Sequence, residues 1–203
     1  RGRGNSGTDL NTIPISAIKR IELLRDGASA QYGSDAIAGV LNIVLKDTDN
    51  ELNVTSTLGF NNANSNSVFL KRADGFTYKL GLNYGTKINN GGFINFTTEV
   101  LSTDNTIRPG TTTREKFGQA AVKNISLFLN AEVPIHQSTK LYAHGGFNYK
   151  NTEAFAFTRK FDSERNVLGI YPTGFNPLIT SNILDNSLSI GVLTNFKEWN
   201  VDV

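Results

Sequence analysis

Seven runs of alternating apolar and polar residues follow one another from residue 51 to the end of the chain. In the second run, for example, Leu80 and Leu82 fall on one side, whereas Asn83 falls on the other. A period of two residues is typical of a β-strand, whose successive side chains point to opposite faces. The pattern therefore predicts seven strands, each with one apolar and one polar face. Phe128 is an exception, because it interrupts the polar face of the fourth run.

The connections between these runs alternate in length. The short ones are residues 89–92, 136–139 and 195–198, and the long ones are residues 61–75, 103–123 and 150–181. Short turns at one end and long loops at the other are typical of outer-membrane barrels, whose turns lie in the periplasm and whose loops lie outside the cell. We therefore predict a mainly β fold, a partial transmembrane antiparallel β-barrel of about seven strands.

A soluble β-sandwich would also show the alternation, with its apolar face turned inward. The length of the runs, about ten to thirteen residues, exceeds that of a usual strand and favours the barrel. Aromatic residues near the strand ends, where an interfacial girdle would lie, are Phe60, Phe76, Tyr84, Phe93, Tyr149 and Trp199. In a barrel, the lipid-facing side chains would include Leu80, Leu82, Ile94, Phe96, Leu127 and Leu141, and the lumen-facing ones Asn83, Asn95 and His144.

Residues 1–47 follow a different pattern. Residues 19–25 are apolar on one face and charged on the other, which predicts a half-buried strand, and residues 39–46 predict a buried one. Residues 28–32 predict a short helical turn between them. We therefore divide the chain into a small α/β unit at residues 1–47 and the β-stranded unit at residues 48–203.

The composition argues against catalysis and against a cofactor or metal site. The chain has no cysteine, which excludes thiol chemistry, and it has no G-x-S-x-G turn. His136 and His144 are its two histidines, and their spacing without a carboxylate cluster does not suit a metal. A net charge of +2 with interspersed signs predicts no nucleic-acid surface. Because the chain begins at Arg1 and contains no methionine, we expect a processed or truncated product.

Residues 13–46 resemble the C-terminal motif of the plug in TonB-dependent receptors. An Ile-Pro pair precedes an Ile-x-Arg-Ile-Glu strand, and Leu-Arg-Asp-Gly-Ala-Ser, Tyr-Gly and Gly-Val-Leu-Asn-Ile follow. A weaker resemblance to one branch of these receptors lies in residues 171–175 and 199–202. The motif and gating candidates on the plug are Arg20, Glu22, Arg25, Asp26, Gly27, Tyr32, Gly33, Gly39 and Asn42.

This resemblance implies a barrel of about 22 strands whose lumen is closed by the plug. Residues 1–47 would be the C-terminal part of the plug, and residues 48–203 the N-terminal strands of the barrel. The implied function is TonB-dependent uptake of a scarce nutrient, such as an iron chelate, a cobalamin-like compound, an oligosaccharide or a peptide. The implied partners are outer-membrane lipid, the TonB complex and the extracellular ligand, in a Gram-negative bacterium. The alternatives are a passive porin and a soluble adhesin-like protein.

Two groups of side chains are candidates for function. Arg20 and Glu22 share one face of a predicted strand. One interpretation is that this face is solvated, and the other is that Arg20, Glu22 and Arg25 pair with charges in the barrel lumen. The three glycines of the motif most simply supply positive φ angles or close packing. In the long loop at residues 150–181, Arg159, Lys160, Tyr171 and Phe175 either bind an anionic or aromatic ligand or pack among themselves.

Overall fold

The structure of the protein is a computed structural model that describes residues 10–25, 27, 30, 32–33, 36, 39–47, 50–63, 73–88, 91–109 and 114–203. Two separate sheets and a short hairpin account for the strands in these ranges. Within the described ranges, no helix is long and apolar enough to cross a membrane.

Seven strands form one antiparallel sheet, which we call the wall. Its strands are β3 (Leu52–Asn62), β4 (Ala73–Ile88), β5 (Gly92–Thr103), β8 (Ala121–His136), β9 (Thr139–Phe155), β10 (Leu178–Phe196) and β11 (Trp199–Asp202). They pair in chain order, and a small hairpin of β6 (Arg108–Pro109) and β7 (Lys116–Phe117) is inserted between β5 and β8. The predicted fold class is therefore confirmed: the chain is mainly β, and its wall is an open part of a barrel.

The connections alternate in length, but the strands are longer than the side-chain pattern indicated. Turns at residues 137–138 and 197–198 close two hairpins, whereas long loops join the other ends of the strands. The predicted turn at residues 89–92 lies partly outside the described residues. β9 and β10 contain 17 and 19 residues and stay paired as far as Leu178 and Phe155. Their length was underestimated because backbone hydrogen bonds continue where both faces become polar.

The two faces of the wall differ in exposure as the alternation predicted. On β5, Ile94 and Phe96 are 40% and 48% exposed, whereas Asn95 and Thr97 are 2% and 1% exposed. Among the described residues, the buried apolar side chains are those of Pro14, Ala17, Ala36 and Phe128. Large apolar side chains therefore do not converge between two sheets, as a sandwich would require.

Phe128 has a specific place on the inner, polar face of the wall. It lies opposite Gly146 in the register of β8 and β9, and it is buried. A Cβ atom at Gly146 would come within 2.6 Å of the Phe128 ring. The glycine therefore leaves the space that the ring occupies, which explains how one aromatic residue is accommodated in a polar face.

The small sheet consists of β1 (Ile18–Leu24) and β2 (Val40–Leu45), which are antiparallel. Two 3₁₀ turns, Leu10–Thr12 and Ile15–Ala17, precede it. The predicted helical turn at residues 28–32 lies largely outside the described residues, as do residues 1–9. Gly39 has a φ of +123°, and a Cβ there would lie 2.6 Å from the Leu24 carbonyl oxygen, so β2 begins at a position that requires glycine.

We expect the chain expressed alone to require detergent or lipid. The outer strands β3 and β11 each have one unpaired edge, and the outer face of the wall exposes residues such as Leu188 and Phe96. Such edges and patches promote association in water. Size-exclusion chromatography should show aggregates without detergent. A detergent-free monomer with a sharp, cooperative melting transition would contradict this expectation.

Candidate functional site

The small sheet is attached to the wall through a buried carboxylate. The 3₁₀ turn Ile15–Ala17 lies against β5, where Ser16 donates two hydrogen bonds to Glu99 Oε2, from its backbone N at 3.3 Å and from Oγ at 2.8 Å. The Lys79 ammonium lies 3.1 Å from the same oxygen. Ser16 and Glu99 are both buried. Because a buried charged group is costly unless it is paired and hydrogen-bonded, these contacts stabilise the Glu99 side chain in its buried position.

The wall has a recess where the turn sits. Gly81 lies opposite Glu99 in the register of β4 and β5. A Cβ atom at Gly81 would lie 3.2 Å from the Ser16 Cβ and 2.6 Å from Thr55 Oγ1, and it would overlap the Ser16 hydroxyl. A side chain at position 81 would therefore push the turn away from the wall.

A second attachment follows β2, where the chain passes from the small sheet to the wall. Asn130 and Asn95 each donate a side-chain hydrogen bond of 2.9 Å, to the carbonyl oxygens of Lys46 and Asp47 respectively. The Lys46 backbone N–H donates to the Ala17 carbonyl at 2.8 Å, and Lys19 forms an ion pair with Asp47. The two attachments are therefore directly linked through the Ala17–Lys46 hydrogen bond.

Buried amide and hydroxyl groups hold Asn95 in position. Asn83 Nδ2 donates to Asn95 Oδ1 and to Thr97 Oγ1, both at 2.7 Å. Further along the inner face, Asn148 Nδ2 donates to Asn124 Oδ1 and Ser126 Oγ. The inner face is thus a hydrogen-bonded polar layer, which suits contact with another part of the chain rather than with lipid.

The sequence pattern placed Asn83 and Asn95 on the inner face but did not single out Ser16, Lys79 or Glu99. Glu99 could have been noticed as an acidic residue on a predicted lumen-facing side. Its partner Ser16 is 83 residues away in the chain, however, and no local pattern connects the two.

Three of the predicted motif residues meet on the small sheet. Arg20 Nε donates to Glu22 Oε1 at 2.6 Å, and Asn42 Nδ2 donates to Glu22 Oε2 at 2.8 Å across the strand pair. The hydrogen bond from Arg20, and then that from Asn42, lower the pKa of the Glu22 carboxyl. Ionised Glu22 therefore stabilises the sheet above its ordinary pKa, and this contribution is lost as the pH falls through the lowered value.

The other motif candidates are placed as follows. Arg25 is exposed just after β1, Tyr32 is exposed, and Asp26 lies outside the described residues. Gly27 and Gly33, like Gly39, have positive φ angles. Within the described part of the chain, the ion-pair partner of Arg20 is Glu22 on its own strand. An ion pair between Arg20 or Arg25 and the barrel lumen stays a prediction.

At the long-loop end, the predicted loop residues pack against one another. Arg159 and Phe175 exchange two backbone hydrogen bonds of 2.8 Å, and the rings of Tyr171 and Phe175 stack with centroids 4.2 Å apart. Arg159, Lys160 and Phe175 line a cleft of about 400 Å³. Self-packing therefore holds for Tyr171 and Phe175, and ligand binding at this cleft stays a prediction.

The loop at residues 156–177 is also joined to the β6–β7 hairpin. The Glu115 backbone N–H donates to Thr158 Oγ1 at 2.9 Å, and Thr158 Oγ1 donates to Asn176 Oδ1 at 2.6 Å. The Arg114 guanidinium lies over the Phe117 ring, 4.5 Å from its centroid, and 5.5 Å from that of Phe157. Two loops thus present one continuous surface. No group of three or more His, Asp or Glu side chains in the described ranges could hold a metal ion.

Comparison with known proteins identifies the N-terminal region. The family model described as TonB-dependent Receptor Plug Domain matches residues 2–40. This match covers the turn that carries Ser16 and all of β1, and it ends at the first residue of β2.

Curated relatives match beyond this region. The vitamin B12 transporter BtuB of Vibrio vulnificus is 32% identical over 109 residues, which cover 41% of this chain and 17% of the relative. The probable TonB-dependent siderophore receptor PirA of Acinetobacter baumannii is 45% identical over 51 residues, covering 25% of this chain and 7% of the relative. BtuB of Photobacterium profundum is 58% identical over 36 residues, covering 18% and 6%.

The chain thus spans less than a fifth of the length of these relatives. No solved structure matches it. The plug-domain match at residues 2–40, the similarity to these relatives and a small sheet seated on the polar face of an open β-wall agree with one another, and together they support a fragment of a TonB-dependent receptor.

Proposed function

We propose that this chain serves in the TonB-dependent active uptake of a scarce nutrient across the outer membrane of a Gram-negative bacterium. In this proposal, residues 1–47 are the C-terminal part of the plug and residues 48–203 are the first strands of the barrel. One observation carries the proposal: the small sheet is seated on the inner, polar face of the wall through Ser16 and Glu99. A plug held in this way closes the lumen until energy is supplied.

The outer face of the wall supports a membrane location. Its exposed side chains are mostly apolar along the middle of the strands, as Ile125, Leu127 and Leu129 illustrate on β8. A lipid-facing surface of a barrel has this character, because hydrocarbon offers no partner for polar groups. Outer-membrane lipid is therefore the first partner, and the TonB complex, which would pull on the plug, is the second.

The seated sheet distinguishes this proposal from a passive porin. A porin leaves an aqueous channel through its lumen, whereas here the turn with Ser16 and the segment at Lys46 and Asp47 occupy the inner face. To open the lumen, the contacts between these plug residues and the wall must break. Breaking them requires energy, which explains the need for an energy source.

The ligand in this proposal is a scarce nutrient taken from outside the cell. The names of the relatives refer to vitamin B12 and to siderophores, and an oligosaccharide or a peptide is also compatible with the wall. We assign ligand binding to the loop surface, with Arg159, Lys160, Tyr171 and Phe175 as its candidate residues. Gating belongs to the plug, with Arg20 and Arg25 as candidates.

Uptake in cells tests the proposed function. The intact receptor should be expressed in a strain that lacks its own receptors, with and without TonB, and given radiolabelled cyanocobalamin or a ferric siderophore. We expect accumulation of one of these ligands to depend on TonB. Uptake at the same rate in both strains would support a porin instead, and no uptake of either ligand, or of a peptide or oligosaccharide panel, would contradict the proposal.

Charge reversal on the plug should separate gating from ligand binding. In the intact receptor, Arg20→Glu or Arg25→Glu should leave ligand affinity nearly unchanged, because neither residue lies on the loop surface. On the prediction that both arginines pair with charges of the barrel lumen, both changes should loosen the plug and admit large antibiotics, since each would replace an attractive contact by a repulsive one. Ligand affinity and antibiotic sensitivity, measured on the same cells, check this expectation.

Substitution of the loop aromatics should have the opposite effect. Tyr171→Ala and Phe175→Ala remove the stacked pair and should weaken ligand binding by about tenfold, which corresponds to the typical worth of an aromatic contact. They should not admit antibiotics. If the arginine variants instead lost affinity while remaining leak-tight, Arg20 and Arg25 would be ligand contacts and the assignment of gating to them would be wrong.

A further inference from the structure

We propose that Glu99 is the docking residue of the wall for the plug, and that separation of Ser16 from Glu99 is a required step of uptake. The second half of this inference rests on the proposed function, whereas the first half concerns only where the plug sits. Ser16 lies within the stretch that resembles the plug but is not one of its motif residues, Glu99 lies outside that stretch, and their contact joins two regions that are 83 residues apart.

The site is built around one oxygen atom. Glu99 Oε2 accepts from the Ser16 backbone N–H and the Ser16 hydroxyl, and it pairs with the Lys79 ammonium. The side chain of Glu99 is only 7% exposed and that of Lys79 is 21% exposed. Contacts to an ionised group in such surroundings are stronger than contacts between neutral groups. Loss of this one carboxylate would therefore remove both hydrogen bonds that bind the turn to the wall.

The shape of the wall makes the contact selective. Gly81 provides the recess, since any side chain there would overlap the Ser16 hydroxyl. Ala17, the next residue of the turn, is 3% exposed. The wall thus offers a carboxylate paired with a lysine, next to a recess at a glycine. This arrangement accommodates a short turn that has a free backbone N–H and a small hydroxyl side chain.

The two attachments of the plug differ in how they can separate. Lys46 and Asp47 lie six and five residues before the start of β3 at Leu52, so the covalent chain limits how far they can move from the wall. Their carbonyl contacts with Asn130 and Asn95 are therefore restored readily after any displacement. Ser16 has no covalent neighbour in the wall. Its contact with Glu99 is thus the attachment that a pull on the plug would break.

A removable cross-link tests the release step. A Cβ at position 81 would lie 3.2 Å from the Ser16 Cβ, near the range of a disulfide, and the chain has no cysteine of its own. In the intact receptor, Ser16→Cys removes the hydroxyl that a side chain at position 81 would overlap, and its combination with Gly81→Cys should form a disulfide when oxidised. We expect ligand affinity to stay unchanged and TonB-dependent uptake to fall by at least about tenfold, because a covalent tether prevents separation. A reductant should restore uptake.

The single variants Ser16→Cys and Gly81→Cys, treated with the same oxidant, are the controls for the cross-link. Neither should show uptake that responds to oxidant and reductant. Full uptake by the oxidised double variant, with the disulfide demonstrated by mass spectrometry, would overturn the release step and leave the proposed function intact. Absence of TonB-dependent uptake in the unmodified receptor would instead overturn the proposed function and the release step together.

Substitutions of Glu99 test docking without reference to uptake. Glu99→Ala removes the acceptor and leaves Lys79 without this partner, whereas Glu99→Gln keeps an acceptor oxygen of nearly the same shape. We expect Glu99→Ala to raise the unseated fraction of the plug by at least about tenfold, because it removes both hydrogen bonds to the carboxylate and one hydrogen bond to a charged group alone is worth about that factor. Vancomycin sensitivity measures this fraction, and heat-modifiable migration of the barrel on gels confirms folding.

Comparison of Glu99→Ala with two matched variants, Ser16→Ala and Glu99→Gln, tests the docking role of Glu99. Ser16→Ala removes the hydroxyl hydrogen bond but keeps the one from the backbone N–H, so it should produce a leak that is smaller than that of Glu99→Ala but larger than that of the unmodified receptor. Glu99→Gln should also produce a smaller leak than Glu99→Ala. A folded Glu99→Ala variant that is as leak-tight as the unmodified receptor would overturn the docking role. Equal leaks in Glu99→Gln and Glu99→Ala would also overturn the docking role, since the acceptor oxygen of the glutamine would then not help to hold the plug.

Discussion

The alternation of side chains along each strand is the constraint on which this structure depends. Because successive residues point to opposite faces, a strand that exposes Ile94 and Phe96 on one side must turn Asn95 and Thr97 to the other. A sheet made of such strands has one face for hydrocarbon and one for polar partners. The polar face cannot form hydrogen bonds with lipid, and it forms them instead among its amide and hydroxyl groups and with the seated turn of the plug.

The seating of the plug follows from the same constraint. Glu99 is on the inner face because it is two residues beyond Thr97, and Lys79 faces it from the neighbouring strand. Gly81 leaves the space for Ser16 between them. A buried carboxylate at this position is stable only while it is paired. The plug therefore stabilises Glu99 of the wall, and Glu99 holds the plug in place. The same dependence makes the contact sensitive to the loss of one partner.

Most of the wall could be predicted from the sequence, because each strand carries its own two-residue signal. The number of strands, the alternation of short and long connections and the exposure of Leu127 or Asn83 all follow from local pattern. The ends of β9 and β10 could not be predicted, since polar residues there share no alternation although their backbones remain paired. The contact of Ser16 with Glu99 was also beyond local reasoning, because it joins distant parts of the chain. The plug motif identified Arg20, Glu22 and Asn42, and these do meet, but they meet one another.

We propose that one side of the wall faces lipid and that the plug covers the other side. Spin labels attached to single cysteines at positions 93–101 of β5, in the intact receptor in lipid bilayers, test this claim most directly. Power-saturation measurements report the collisions of each label with oxygen, which concentrates in lipid, and with a water-soluble nickel chelate. The account predicts a two-residue period, with high oxygen accessibility at 94, 96, 98 and 100 and low accessibility to both reagents at 95, 97 and 99. Equal accessibility along the strand, or the opposite phase of the period, would contradict it.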